Sequence, residues 1–227
     1  GANVPDPDVF ISQADVPGDG RFYVGSKVTD IGGGFWAYEY AVQNLNSDRA
    51  AGSFAIPLPA GATVRNTAFH DVPYHSGEPY AGTDWTITNT GSSLNFATQP
   101  YASNANANAL RWDTVYNFRF ECDAPPAGGN AALGIFKPGT PTSVSAVAAV
   151  PSPDGQPHPM NDTCVLAADV GLGTTTFSTV GASTDGPTQS GACAIGNYDQ
   201  LGNDVWFRFT PVCTGVQTVS LCGSSFD

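Results

Sequence analysis

Two of the three histidines of this chain fall in HDVPYHSGEPYAGTDW, residues 70–85, together with Asp71, Glu78 and Asp84. Imidazole and carboxylate are the ordinary ligands of zinc, copper and iron, so His70, His75, Glu78 and Asp84 form the candidate metal set. Their spacing argues against it. The two histidines are five apart, which fits neither the i, i+4 pairing of a helix nor the i, i+2 pairing of a strand, and Pro73 between them ends any regular strand. Only a loop folding back on itself would bring both rings together. The favoured reading is an ordered loop whose polar side chains bond backbone groups and cap a sheet edge.

Other chemistry fares worse. There is no G-x-S-x-G elbow, and Ser76 sits beside His75, so a triad of Asp71, His75 and a remote serine has no positive support. Glu39, Glu78 and Glu121 are the only glutamates. Glu39 and Glu121 read as strand residues suited to surface pairing with Arg111 and Arg119 rather than to glycoside hydrolysis. No catalytic residue is expected. For binding, Trp85, Trp112 and Tyr80, with Tyr74 and Tyr101, lie in or beside loops where rings could stack on sugars. Asp6, Asp8, Asp15, Asp19 and Asp154 sit in turn-like stretches that suit calcium, the one candidate cofactor, although none matches an EF-hand loop.

The elements that must carry these residues are strands. In GFWAYEYAVQNL, Trp36, Tyr38, Tyr40 and Val42 alternate with Ala37, Glu39, Ala41 and Gln43. TVYNFRFEC repeats the pattern with Tyr116, Phe118 and Phe120. Further strands are expected at 21–29, 53–58, 63–70, 83–89, 93–98, 130–136 and 142–150, with a hairpin turning near Gly91. NANANALRW is the nearest approach to a helix. The first 150 residues therefore predict an all-β fold, an antiparallel β-sandwich of immunoglobulin-like or jelly-roll type.

PSPDGQPHPMND changes character to Pro, Asp and Gly, and predicts a linker over 151–160. Beyond it, TTTFSTVG, NDVWFRFTPV and VQTVSLCGS read as three strands, too few to close a second sandwich, so 161–227 is expected to be a partial one. Cys164, Cys193, Cys213 and Cys222 cluster here and suggest disulfides and an oxidising compartment, with three pairings open. Cys122 stands apart and is expected to be a buried thiol.

Composition narrows the partners. The net charge of −12 is divided evenly about residue 150, with only 8 Lys and Arg in the chain, so a basic footprint for nucleic acid is absent. A hydrophobic share of 41% with 11% aromatic is too rich for disorder. No run of about 18 apolar residues exists to span a membrane as a helix.

NDTCVLAADV, FSTVGASTDGP and NDVWFRFTPVCTGVQTVSLCGSSFD resemble the opening half of a pre-peptidase C-terminal domain, a β-sandwich appendage of secreted bacterial proteins. Asn161-Asp162, Asp204-Val205-Trp206-Phe207 and Cys222-Gly223-Ser224 carry the likeness. YEYAVQNLNSDRAAGSF and FHDVPYHSGEPY likewise resemble a companion module of multi-domain surface proteins. The resemblance implies secretion and further strands after Asp227. GANVPDPDVF lacks a signal-peptide layout, so an exported protein would have lost that segment. A chain ending at Asp227 would leave an open edge able to recruit a neighbour's strand. The expected function is a non-catalytic extracellular structural or adhesive module, self-assembling through strand edges. The competing expectations are a carbohydrate- or protein-binding appendage of a secreted hydrolase, with extracellular polysaccharide as partner, and a metal enzyme centred on the His70–Glu78 loop.

Overall fold

The computed structural model describes residues 6, 8–73, 77–186, 188 and 202–220. Ten strands build two antiparallel five-stranded sheets packed face to face. One sheet, here sheet A, has the order β1 (Phe10–Val16), β2 (Gly20–Gly32), β3 (Phe35–Asn44), β8 (Val115–Cys122), β5 (Val64–His70). Sheet B runs β10 (Ser143–Pro151), β9 (Pro126–Ile135), β4 (Ala51–Pro57), β7 (Ser93–Ala97), β6 (Thr86–Asn89).

Alternation decides which side chains meet between the layers. Tyr38, Tyr40 and Val42 of β3 and Tyr116, Phe118 and Phe120 of β8 are buried, while Glu39, Ala41, Asn117 and Arg119 point out. From sheet B, Phe54 and Phe96 come down on Phe118 with ring centroids 4.8 and 5.1 Å away. Tyr38 stacks on Phe120 at 5.0 Å. Such rings bury the most apolar area per residue and prefer these offset and edge contacts. The phenols are satisfied internally. Tyr38 donates to Ala124 O (2.8 Å), Tyr40 to Ala149 O (2.6 Å) and Tyr116 to Asn108 Oδ1 (2.6 Å). Burial pushes all three hydroxyls well above the usual tyrosine pKa. Cys122 is buried, as expected.

The four sheet edges are blunted by different means. On one side β1 faces β10, where Ser12 Oγ donates to Val147 O (2.5 Å), Ser26 Oγ accepts from Ala149 N (3.1 Å) and Tyr40 takes Ala149 O. Those hydroxyls occupy the backbone groups that a further strand would need. On the other side β5 carries a bulge between Arg65 and Ala68, with Asn66 at φ 50°, and β6 is only 4 residues long. Bulges and shortness both discourage edge pairing. The β2–β3 hairpin turns on Gly32, Gly33 and Gly34, all between φ 65° and 76°, a region costly for any residue with a Cβ.

Two sequence expectations need correction. A tenth strand, β1, precedes the nine expected; its residues are small and polar enough that the alternation is faint. NANANALRW, the nearest approach to a helix, is a turn-rich loop whose Leu110 bridges Ala51. Of the three strands expected after the linker, Phe207–Phe209 (β12) is the one formed among the described residues, and it pairs in parallel with an unanticipated β11 (Ala168–Val170). Residues 174–181 and 216–220 are described without strand. Residues 152–160, the expected linker, lie beside the start of β9. Ser152 N donates to Pro125 O and His158 N to Pro126 O, fixing the segment there.

Candidate functional site

The outer face of sheet A is shaped by where its small residues fall. Across β2, β3, β8 and β5 one cross-strand row reads Gly25, Ala41, Asn117, His70, and the next reads Lys27, Glu39, Arg119, Ala68. Gly25, Ala41 and Ala68 leave a hollow where their neighbours stand tall, and a glycine inside a strand commonly marks such a close approach. The result is a trough of about 310 Å³, at the lower end of ligand-site volumes. Lys27, Glu39, Arg119 and His70 rim it. Val9 closes one end, its Cγ1 lying 3.5 Å from where a Cβ on Gly25 would be. Asp6 anchors that end through Lys27 Nζ (2.7 Å), with Asp8 at 3.7 Å. The bond from Lys27 holds the Asp6 carboxyl below the usual carboxylate range. Among the described residues, the side chains of Glu39, His70 and Asn117 take no hydrogen-bond or ion-pair partner, while Arg119 acts through its charge on Glu121 of the same strand without a direct bond to it.

His70 is thus brought to a site, but not with its expected companions. Glu78 and Asp84 are exposed loop residues, and His75 lies outside the described residues along with Tyr74 and Ser76. Among the described residues no group of three His, Cys, Asp or Glu side chains is placed to share a metal ion. What organises the loop is Asn108, which sequence reasoning passed over inside NANANALRW. Its amide donates to Asp71 Oδ2 and to Thr83 O (3.0 Å), its Oδ1 accepts from Tyr116, and its backbone carbonyl accepts from Trp85 Nε1. One buried amide therefore ties both ends of the 71–85 loop to β8.

That arrangement corrects the aromatic expectation. Trp85 is 3% exposed and packs on Phe69, Tyr116 and Phe118, leaving no face for a ligand. Trp112, at 63% exposure, is open to solvent. The Tyr80 ring lies 3.9 Å from the Arg111 guanidinium carbon, and Phe136 approaches the same group at 4.8 Å. Burial lowers the Arg111 pKa, and two carbonyls, of Ala105 and Ala107, accept from its Nη2. Arg111 is therefore a packing residue and does not pair with a glutamate.

The carboxylates foreseen for calcium have other partners. Asp15 lies on β1, not in a loop, and binds Arg21 through both oxygens (2.5 and 3.0 Å). Asp19 accepts from Ser47 Oγ and Arg49 N, and Asp154 from Ser152 Oγ and Gln156 N. Glu121 sits 2.8 Å from Arg65, and hydrogen bonds from Asn66 and then Arg65 hold it below the usual carboxylate pKa, the opposite of what a general acid needs. Cys164 and Cys213 are exposed free thiols, and Cys193 and Cys222 lie outside the described residues. Comparison with protein families, with curated proteins and with solved structures returned no match to this chain.

Proposed function

We propose that this chain is a non-catalytic adhesive module of an exported surface protein, and that it grips neutral extracellular polysaccharide in the trough on the outer face of sheet A. The trough is the observation that carries the reading. Its floor of Gly25, Ala41 and Ala68 suits the C–H face of a pyranose, and Glu39, His70, Asn117 and Arg119 offer donors and acceptors along the rim for its hydroxyls. Few fixed polar groups around an apolar floor is the usual composition of a small-ligand site. Assembly through sheet edges is disfavoured for the sandwich, because the hydroxyl seam, the bulge in β5 and the brevity of β6 leave little free ladder.

Depletion of the protein from solution by insoluble cellulose, chitin and α-glucan tests the reading. Binding to at least one is expected, weakened about tenfold or more by Ala41→Trp and by Arg119→Glu, a change of about 1.4 kcal/mol. Failure to bind any of the three, or binding indifferent to both changes, would reject it. Loss on Trp112→Ala alone would move the contact to that exposed ring, the second reading that its 63% exposure favours.

A further inference from the structure

The trough has unequal neighbours along the strands. On one side the next cross-strand row is Thr29, Ala37, Glu121, Arg65, where Arg65 and Glu121 pair at 2.8 Å and end the apolar floor. On the other side the next row is Tyr23, Gln43, Val115, uncharged throughout. One row further on stands Leu45, whose N donates to Arg21 O (3.0 Å). Residues two apart on a strand share a face and lie about 7 Å from each other, which puts Leu45 about 14 Å beyond Ala41. Val115 and Leu45 are both exposed hydrophobics.

The strip ends at Trp112. Its ring is exposed, yet the turn that carries it is fixed. Asp113 N donates to Asn44 O (2.7 Å), Thr114 Oγ1 and N both donate to Arg111 O (2.6 and 3.2 Å), and Asp113 takes φ 59°. Arg111, at the root of the turn, is buried and bonded to two backbone carbonyls. A side chain presented this rigidly loses little freedom on meeting a partner, and tryptophan is among the residues that dominate contact energies. Contiguous exposed apolar groups with a polar rim mark binding grooves.

Building on the polysaccharide reading of the trough, we propose that this strip is its second subsite. The ligand is then a linear chain of neutral sugar rings lying along the strands, from the trough across Tyr23, Gln43 and Val115 to Trp112. Charge and shape favour that occupant. The strip spans β2, β3 and β8, about 10 Å across at the usual strand spacing, far short of the roughly 800 Å² per partner of a stable protein interface. Apolar side chains alternate along it with the amides of Asn117 and Gln43 and the Tyr23 phenol, matching a polymer whose every ring offers C–H and O–H groups. Asp15 neutralises Arg21 beside the strip, and a net charge of −12 repels a polyanionic glycan.

Calorimetric titration of the full chain with cello-, chito- and malto-oligosaccharides of one to six rings tests it. For the series that binds, affinity should rise about tenfold or more between two rings and five, then level off. Trp112→Ala and Val115→Asp should each remove most of that gain while leaving the affinity for two rings within about twofold, and Ala41→Trp should lower binding at every length. Equal affinity for two and five rings, or a gain that survives both Trp112→Ala and Val115→Asp, overturns the second subsite and leaves the trough reading standing. Binding by no member of any series rejects both. Concentration-dependent dimers abolished by Trp112→Ala would overturn the subsite in favour of a second copy of this chain on the strip.

Discussion

The tripeptide Phe-Arg-Phe occurs twice, at 118–120 in β8 and at 207–209 in β12, with opposite fates. In β8 the two rings are 2% and 0% exposed, Phe118 roofed by Phe54 and Phe96 from the facing sheet and Phe120 stacked on Tyr38 and Tyr40, while Arg119 points out over the trough. In β12 both rings are 37% exposed, the strand pairs among the described residues with β11 alone, and Arg208 clasps Asp169 at 2.6 and 2.8 Å. Three identical residues with the same backbone period give a core in one place and a surface in the other. Alternation states which side chains share a face. Whether that face is covered depends on residues far away in the chain.

The comparison can be broken at its strongest point first. Phe118→Ala should cost about 3–5 kcal/mol in denaturant unfolding, whereas Phe207→Ala should cost less than about 1 kcal/mol. Equal losses would mean that β12 has a covering layer after all. Next comes the loop anchor. Asn108→Ala leaves Asp71 and Thr83 O unmatched and strips the Tyr116 hydroxyl of one of its two acceptors, the Ala109 carbonyl remaining, and should cost about 1–3 kcal/mol while raising proteolysis within 71–85.

A third test separates the regions by pH. Tyr38, Tyr40 and Tyr116 have folded pKa values raised above the unfolded one, so their contribution is full below about pH 10 and is lost as pH rises beyond it. Absorbance titration at about pH 11 should find these three of the eight tyrosines un-ionised for as long as the sandwich persists, then ionising together as it unfolds. Independent titration of all eight would contradict the buried phenol network. The smallest effect is expected at Arg208→Ala. This pair is well exposed on both sides, so unfolding of the sandwich should shift by no more than measurement scatter.

The sandwich was legible wherever a strand carries large rings on every second position. GFWAYEYAVQNL and TVYNFRFEC declare their buried faces because aromatic and β-branched residues alternate with polar ones, and the Gly91 hairpin is marked by its turn residues. β1 was not legible. FISQADV presents only Ala14 and Val16 as buried apolar residues, and its task is partly polar, through Ser12. Asn108 was hidden for a related reason: an asparagine whose side-chain amide serves three groups and whose carbonyl serves a fourth looks, in sequence, like any other loop asparagine. Trp85 borders a loop, which in sequence suggests exposure, yet its indole N–H finds a carbonyl and its ring finds Phe69. The trough could not be read at all. It arises from a glycine and two alanines on three strands that only register brings side by side.

The hydroxyl seam along β10 has a further consequence. SVSAVAAVP is uncharged, rich in alanine and valine, and nine residues long, a composition prone to stacking into fibrils when its ladder is bare. Three oxygen atoms, those of Ser12, Ser26 and Tyr40, keep it occupied. Exchange of either serine for alanine leaves the packing almost unchanged in volume but uncovers part of that ribbon, so the damage would emerge as insoluble aggregate on storage before it registered as a lower melting temperature.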